Sequence, residues 1–176
     1  GQAPSRKTAS MTIQKFPVDP VNNPEEWLAL RAKDVTASVA AALIGQHVYE
    51  TPYSLWMTKS GTISPTKQET GAMIRGRIFE STAEKILQME HPDWNVREAG
   101  HYYCDESIRL GGTPDLFADI PGKGFGTIQI KTVQSIVFKM KWLSEDAFGP
   151  DGRPLVVPPL WIGIQALVEA HLTGAK

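Results

Sequence analysis

The sequence predicts an α/β fold, an α+β arrangement in which helices stand before and after a central mixed sheet. Apolar residues recur at helical spacing before His91 and again after Pro159, whereas from Val96 to Val133 the pattern becomes strand-like, cut by turn-rich segments. At 176 residues, 41% of them hydrophobic, the chain fits one domain of ordinary size. The 18 Lys+Arg against 19 Asp+Glu give a formal charge of −1, which argues against a strongly basic nucleic-acid-coating protein but leaves room for a local basic groove. No apolar run approaches the roughly 18 residues that a membrane span needs, and the basic residues near the start precede no hydrophobic segment, so a soluble, cytoplasmic protein is expected. Cys104 stands alone, excluding an internal disulfide framework, and the 4 histidines lack zinc spacing.

In chain order, residues 1–10 are small and polar, and 1–15 are expected to be a flexible leader or artificial remnant, with 16–176 as a single domain. Asn23, Pro24 and Glu26 resemble a capping box opening a helix that ends near Lys33. A short helix follows from Ser38 to Ile44, with Gly45 as its left-handed stop, and a third runs from Thr51-Pro52 to Ser60-Gly61. Residues 62–70 read as a mobile surface loop. Met73, Phe79, Ala83, Ile86 and Leu87 predict the longest helix over 71–90, stopped by His91-Pro92-Asp93. Three antiparallel strands are expected over 96–104, 110–120 and 126–133. A helix over 135–146, a Gly/Pro loop over 148–159 and a final helix over 160–172 complete the chain, with Trp161, Ile164, Val168 and Leu172 as its apolar stripe. A helix returning to a sheet would normally feed another strand, so the domain is expected to be incomplete at its C-terminal side.

The chemistry concentrates in Thr113-Pro114-Asp115 and Gln129-Ile130-Lys131. Residues two apart on a strand share a face, so Gln129 and Lys131 project together with Ile130 turned to the core, and a neighbouring strand can bring Asp115 beside them. Carboxylate and amide oxygens suit Mg2+ or Mn2+, and a lysine can orient an attacking water: this is phosphodiester-cleavage chemistry. The plainer alternative has Asp115 closing a turn and Lys131 extending from an exposed strand end. Glu80 shares a helical stripe with Gly76, Ala83 and Leu87, at the border of the buried face, where carboxylates are seldom left unpaired. Its plainer alternative is an ion pair with Arg77 or Lys131.

Glu80, the run from Asp105 to Arg109 leading into Thr113-Pro114-Asp115, and Gln129-Ile130-Lys131 together resemble the PD-(D/E)XK nuclease superfamily. Within it, the segment from Arg31 to Ser38 resembles the R-x-G-x-I-T-A-S motif of the YqaJ-like viral recombinase group, the phage lambda exonuclease-like family, and Gln165 resembles its motif glutamine. The likeness covers 25–173, and the joint order of the motifs is far more specific than any one of them. It implies a restriction-endonuclease-like core. It also implies that Asp115, the side-chain oxygen of Gln129 and the main-chain carbonyl of Ile130 hold a divalent ion, that Glu80 helps hold the metal or its waters, and that Lys131 positions the nucleophilic water. Arg31 and Ser38 would bind the 5′-terminal phosphate of DNA. A serine opening a helix presents free N–H groups to an anion, and an arginine adds a charge-assisted contact, although simple N-capping explains Ser38 as well. Gln165 would join the DNA-binding set, or make a structural hydrogen bond.

One departure stands out: the superfamily usually has Glu or Asp where this chain has Gln129, so the site loses a negative charge and weaker metal binding is expected. Lys139 and Lys141 fit either phosphate contacts or a solvated helix face. The resemblance implies a Mg2+- or Mn2+-dependent exonuclease digesting linear duplex DNA from a 5′ end, with double-stranded DNA ends, a single-strand annealing protein and further copies of itself, as a trimer, for partners. The rivals are a DNA-end-binding protein silenced by Gln129 and an endonuclease of the same fold.

Overall fold

The computed structural model describes residues 12–63 and 71–175, a mixed α/β architecture with a mixed sheet flanked by helices. The helices follow from local signals. In α1 (Pro24–Lys33) Pro24 sits in the first turn, but Asn23 makes no cap bond to the backbone; its side-chain amide donates to Glu26 Oε2 at 2.6 Å instead, so the expected capping box is replaced by a side-chain pair. The next segment, Ala37–Ile44, is a 3-10 helix that starts one residue earlier than expected, with Thr36 rather than Ser38 at its cap position, and Gly45 ends it at φ +69°. Its Ala37, Ala40, Ala41 and Ala42 are buried, and side chains that small let neighbouring backbone approach. Helix α2 (Pro52–Lys59) carries a complete capping box between Thr51 and Ser54.

Helix α3 (Gly71–Glu90) has the expected bounds. Along it Gly76, Glu80, Ala83 and Leu87 are half-buried, while Phe79 and Ile86 of the expected apolar set are exposed. Gln88 ties its end to the sheet, accepting from the Val96 N–H and donating to the Trp94 carbonyl. The polar stretch 64–70 and residues 1–11 lie outside the described residues.

The strands depart most from expectation. Ile13–Pro17, whose first three residues fall in the segment expected as a flexible leader, forms β1 and pairs antiparallel with β4 (His101–Asp105). Each of the first two expected strands is bent into two. The first gives β3 (Asn95–Glu98) and β4, parted at Gly100, whose φ of +58° turns the chain. The second gives β5 (Leu110–Gly112) and β6 (Leu116–Ile120), parted at Thr113-Pro114-Asp115, where Pro114 has no N–H for a ladder. The bends face each other, for the Ala99 N–H still reaches the Asp115 carbonyl at 3.2 Å. The result is a sheet of β1, β4, β5 and β2 (Val35–Thr36) in that order, β2 running parallel to β5, and a sheet of β3, β6 and β7 (Gly124–Ile128) in that order.

Strand β7 covers Gly124–Ile128, earlier than the expected 126–133, and Gln129, Ile130 and Lys131 follow its last paired residue. The expected helix over 135–146 stops at Lys141 as α4 (Ser135–Lys141); Leu143–Phe148 is strand β8, paired with β9 (Pro154–Val156) in what was read as a loop. Pro150-Asp151-Gly152 forms the turn, Asp151 Oδ1 accepting from the Arg153 N–H at 3.1 Å. Helix α5 (Leu160–Thr173) ends at Gly174, φ +72°, and packs on the 3-10 helix, β5 and β7. Its buried line is Ile162, Gln165, Glu169 and Leu172, not the expected line through Trp161, Ile164 and Val168, which are half-buried. Among the described residues no helix is long and apolar enough to cross a membrane.

Candidate active site

The bend after β5 places Asp115. Because Leu116 faces Ile128 in the β6–β7 register, one further step sets Asp115 against Gln129. Asp115 Oδ2 accepts from Gln129 Nε2 at 2.5 Å and from the Ile130 N–H at 2.7 Å. Burial pushes the Asp115 carboxyl up, opposed by the Ile130 N–H, the Lys131 charge and the Gln129 amide. Lys131 answers in kind: burial pulls its ammonium down, the charges of Asp115, Glu169 and Glu80 hold it up, and Arg31 adds repulsion. Asp115, Gln129 and Ile130 are thus joined by hydrogen bonds, and the charges of Asp115 and of the half-buried Glu80 both act on Lys131. Two details differ. Ile130 is half-buried rather than core and turns its main chain to the acid, and Gln129 presents nitrogen, not oxygen, to Asp115. Its Oε1 is buried without a hydrogen-bond partner among the described residues. A half-turn of the amide exchanges the two atoms.

A second cluster forms where α1 meets the 3-10 helix. Arg31 Nη2 donates to Ser38 Oγ at 3.1 Å and to Thr36 Oγ1 at 3.5 Å, and the two hydroxyls lie 3.1 Å apart. The guanidinium lies over the Trp27 ring, 4.5 Å from its centroid, and Trp27 Nε1 donates to Thr113 Oγ1 at 3.0 Å, two residues before Asp115. One indole therefore braces both clusters. Lys59 Nζ holds the Arg31 carbonyl at 2.7 Å. Ser38 is the second residue of its helix rather than the residue that opens it, but it stays in the first turn, where N–H groups lack helical partners.

Between the clusters lies α5. Gln165 Nε2 donates to Glu169 Oε1 at 2.9 Å, and Gln165 Oε1 and Glu169 Oε2 are buried without hydrogen-bond partners among the described residues. Burial pushes the Glu169 carboxyl up to about 7, Asp115 adds to the rise, and the Gln165 amide, Lys131 and Arg31 oppose it. The sequence reading placed Gln165 here but missed Glu169. The available signal was its spacing of four from Gln165 on a strongly apolar helix, which puts both on one face. Lys139 and Lys141 are exposed in the last turn of α4. A cleft of about 460 Å3, lined by Gln129, Lys131, Trp142, Val156 and Pro158, opens beside the lysine.

Among the described residues no three His, Cys, Asp or Glu side chains are grouped to hold a metal ion. A cation at Asp115 would rely on amide and main-chain oxygens, water and substrate, the way Mg2+ is commonly held. The Asp115 carboxylate and the orphaned Gln129 oxygen fit that mode.

The model of the YqaJ-like viral recombinase domain matches residues 26–175. The chain belongs to that family. Both clusters and the α5 pair lie inside the matched span, which begins just before Trp27. The chain is also 25% identical over 84 residues to the uncharacterized protein YqaJ of Bacillus subtilis (strain 168), a match covering 40% of this chain and 26% of that protein. It thus spans about a quarter of the length of that curated relative. Family membership makes this a nuclease-related domain of phage recombination type.

Proposed function

We propose that the chain is a Mg2+- or Mn2+-dependent deoxyribonuclease that hydrolyses one strand of linear duplex DNA from a 5′ end. The observation that supports this most is the Asp115–Gln129–Lys131 cluster braced through Trp27 to the Arg31–Ser38 cluster. One group suits a reacting phosphodiester and the other an anionic terminus.

Asp115, Gln129 through Oε1 and Ile130 through its carbonyl would hold the cation, with Glu80 near its waters; a bound divalent ion supplies charge neutralisation at the scissile phosphate. The chain's own groups do the rest. Lys131, half-buried and acted on by the charges of three acids, orients the attacking water through Nζ–H donors. Arg31 and Ser38 grip the terminal phosphate and fix which bond reaches Lys131. Gln165 adds an amide to the DNA contact. By the same reading the surviving strand passes to an annealing protein, and copies of the chain assemble as a trimer. The setting is the cytoplasm of a bacterial host or phage-infected cell.

One observation favours a second reading, a DNA-end-binding protein with little turnover: Asp115 Oδ2 already accepts from two N–H donors. A nuclease assay separates the readings. With Mg2+ or Mn2+, 5′-phosphorylated linear duplex is expected to disappear while closed circles survive. Binding without loss of either substrate would support the end-binding protein, and cut circles an endonuclease.

A further inference from the structure

The buried acids of this chain are not alike. Asp34 is 6% exposed and accepts from the Tyr102 hydroxyl at 2.8 Å; Asp105 is 1% exposed and accepts from the Ser107 N–H and hydroxyl. The fold accounts for both. Glu169, also 1% exposed, is satisfied at Oε1 by Gln165 alone, and its Oε2 has no hydrogen-bond partner among the described residues. A carboxylate oxygen is not left so without a reason.

Its position supplies the reason. A Cβ at Gly112 would stand 3.4 Å from Glu169 Cγ, so the side chain lies against the end of β5, three residues before Asp115. Its charge is felt by Lys131 and Arg31. The other orphaned buried oxygens among the described residues are Gln129 Oε1, beside Asp115, and Gln165 Oε1, on Glu169 itself. Lys131 feels the Glu169 charge and lines one cleft with Gln129, and acceptors without donors are what a hard cation takes up. The site also lacks one charge, because an uncharged amide stands at position 129.

We propose that Glu169 is the second carboxylate of the cation site, bringing from α5 the negative charge that Gln129 does not bring beside Asp115. This rests on the nuclease reading above. A Glu169 confined to holding Gln165 would act on the cation only from a distance, and its own carboxyl would not respond to the ion as a ligand does.

Calorimetric titration of the whole chain with MnCl2 tests it, comparing wild type, E169Q and the double variant Q129E/E169Q. Removing a ligand charge is expected to weaken Mn2+ binding about tenfold or more. Restoring an acid at 129 is expected to bring the affinity back to within about threefold of wild type. Mn2+ binding by E169Q as tight as by wild type overturns the proposal and leaves the nuclease reading standing. If wild type neither binds Mn2+ nor cleaves linear duplex, both fall. Should E169Q not fold, the side-chain carboxyl signals of wild type during a titration with diamagnetic MgCl2 decide. A shift of Glu169 together with Asp115 supports the proposal, and an unmoved Glu169 beside a shifted Asp115 overturns it.

Discussion

At the scale of single residues, the site is a balance of buried charge. Burial pulls the Lys131 ammonium below its ordinary value, and Asp115, Glu169 and Glu80 oppose that fall. In K131A the water loses its orienting donor while the half-buried position accepts a methyl group. The expected loss in cleavage rate is about 100-fold or more, with the thermal midpoint nearly unchanged; wild-type rates would remove Lys131 from the reaction. Glu169 sets a pH dependence in chelator-treated protein. Its carboxyl rises from 4.5 to about 7 on folding, so between those values the folded chain keeps a proton that the unfolded chain has lost. Stability therefore falls as pH rises through that window and is flat outside it. E169Q, neutral throughout, is expected to be more stable than wild type at pH 8 by ~1–3 kcal/mol in urea unfolding. An identical pH slope in both proteins would contradict this. Glu169 is legible only when the stripe of α5 is taken one position on, through Ile162, Gln165 and Glu169 rather than Trp161, Ile164 and Val168, because an apolar helix offers several lines of similar hydropathy.

At the scale of elements, close approach of backbone decides what is tolerated. A Cβ at Gly111 would stand inside contact distance of the Tyr102 hydroxyl, which is bonded to Asp34. G111A must displace that buried bond and is expected to destabilise by ~1–3 kcal/mol; wild-type stability on denaturant unfolding would show that β4 and β5 separate easily. Trp27 links α1 to the bend at Thr113. W27F keeps an aromatic ring for Arg31 but removes the N–H together with the second ring, so it is expected to reduce the preference for 5′-phosphorylated over 5′-hydroxyl ends with little change in fold. An unaltered preference would show that the two clusters work independently. The helices were legible because Pro24, Pro52, Gly45 and Gly174 mark their ends. The strand bends were not, because the alternation of side chains across 113–115 and the lone Gly100 say nothing of the change in direction. The hairpin of β8 and β9 was read as helix and loop because Trp142 and Leu143 continue the apolar run of α4, although Pro150-Asp151-Gly152 carried a turn signal.

At the scale of the molecule, the bends, the 3-10 helix and α5 converge from segments far apart in the chain, and α5 is the common wall. The motif order was readable in the sequence because each motif keeps its own residues. The depth of Glu169 and the bracing through Trp27 were not, because both depend on packing between distant elements. The central claim is that this convergence cuts DNA, and the most direct measurement is release of soluble nucleotide from 5′-phosphorylated linear duplex as Mg2+ is raised. Release that rises with the ion and stops when a chelator is added is the predicted result. Duplex that stays intact at saturating Mg2+ and Mn2+, with the protein bound to its ends, would contradict it.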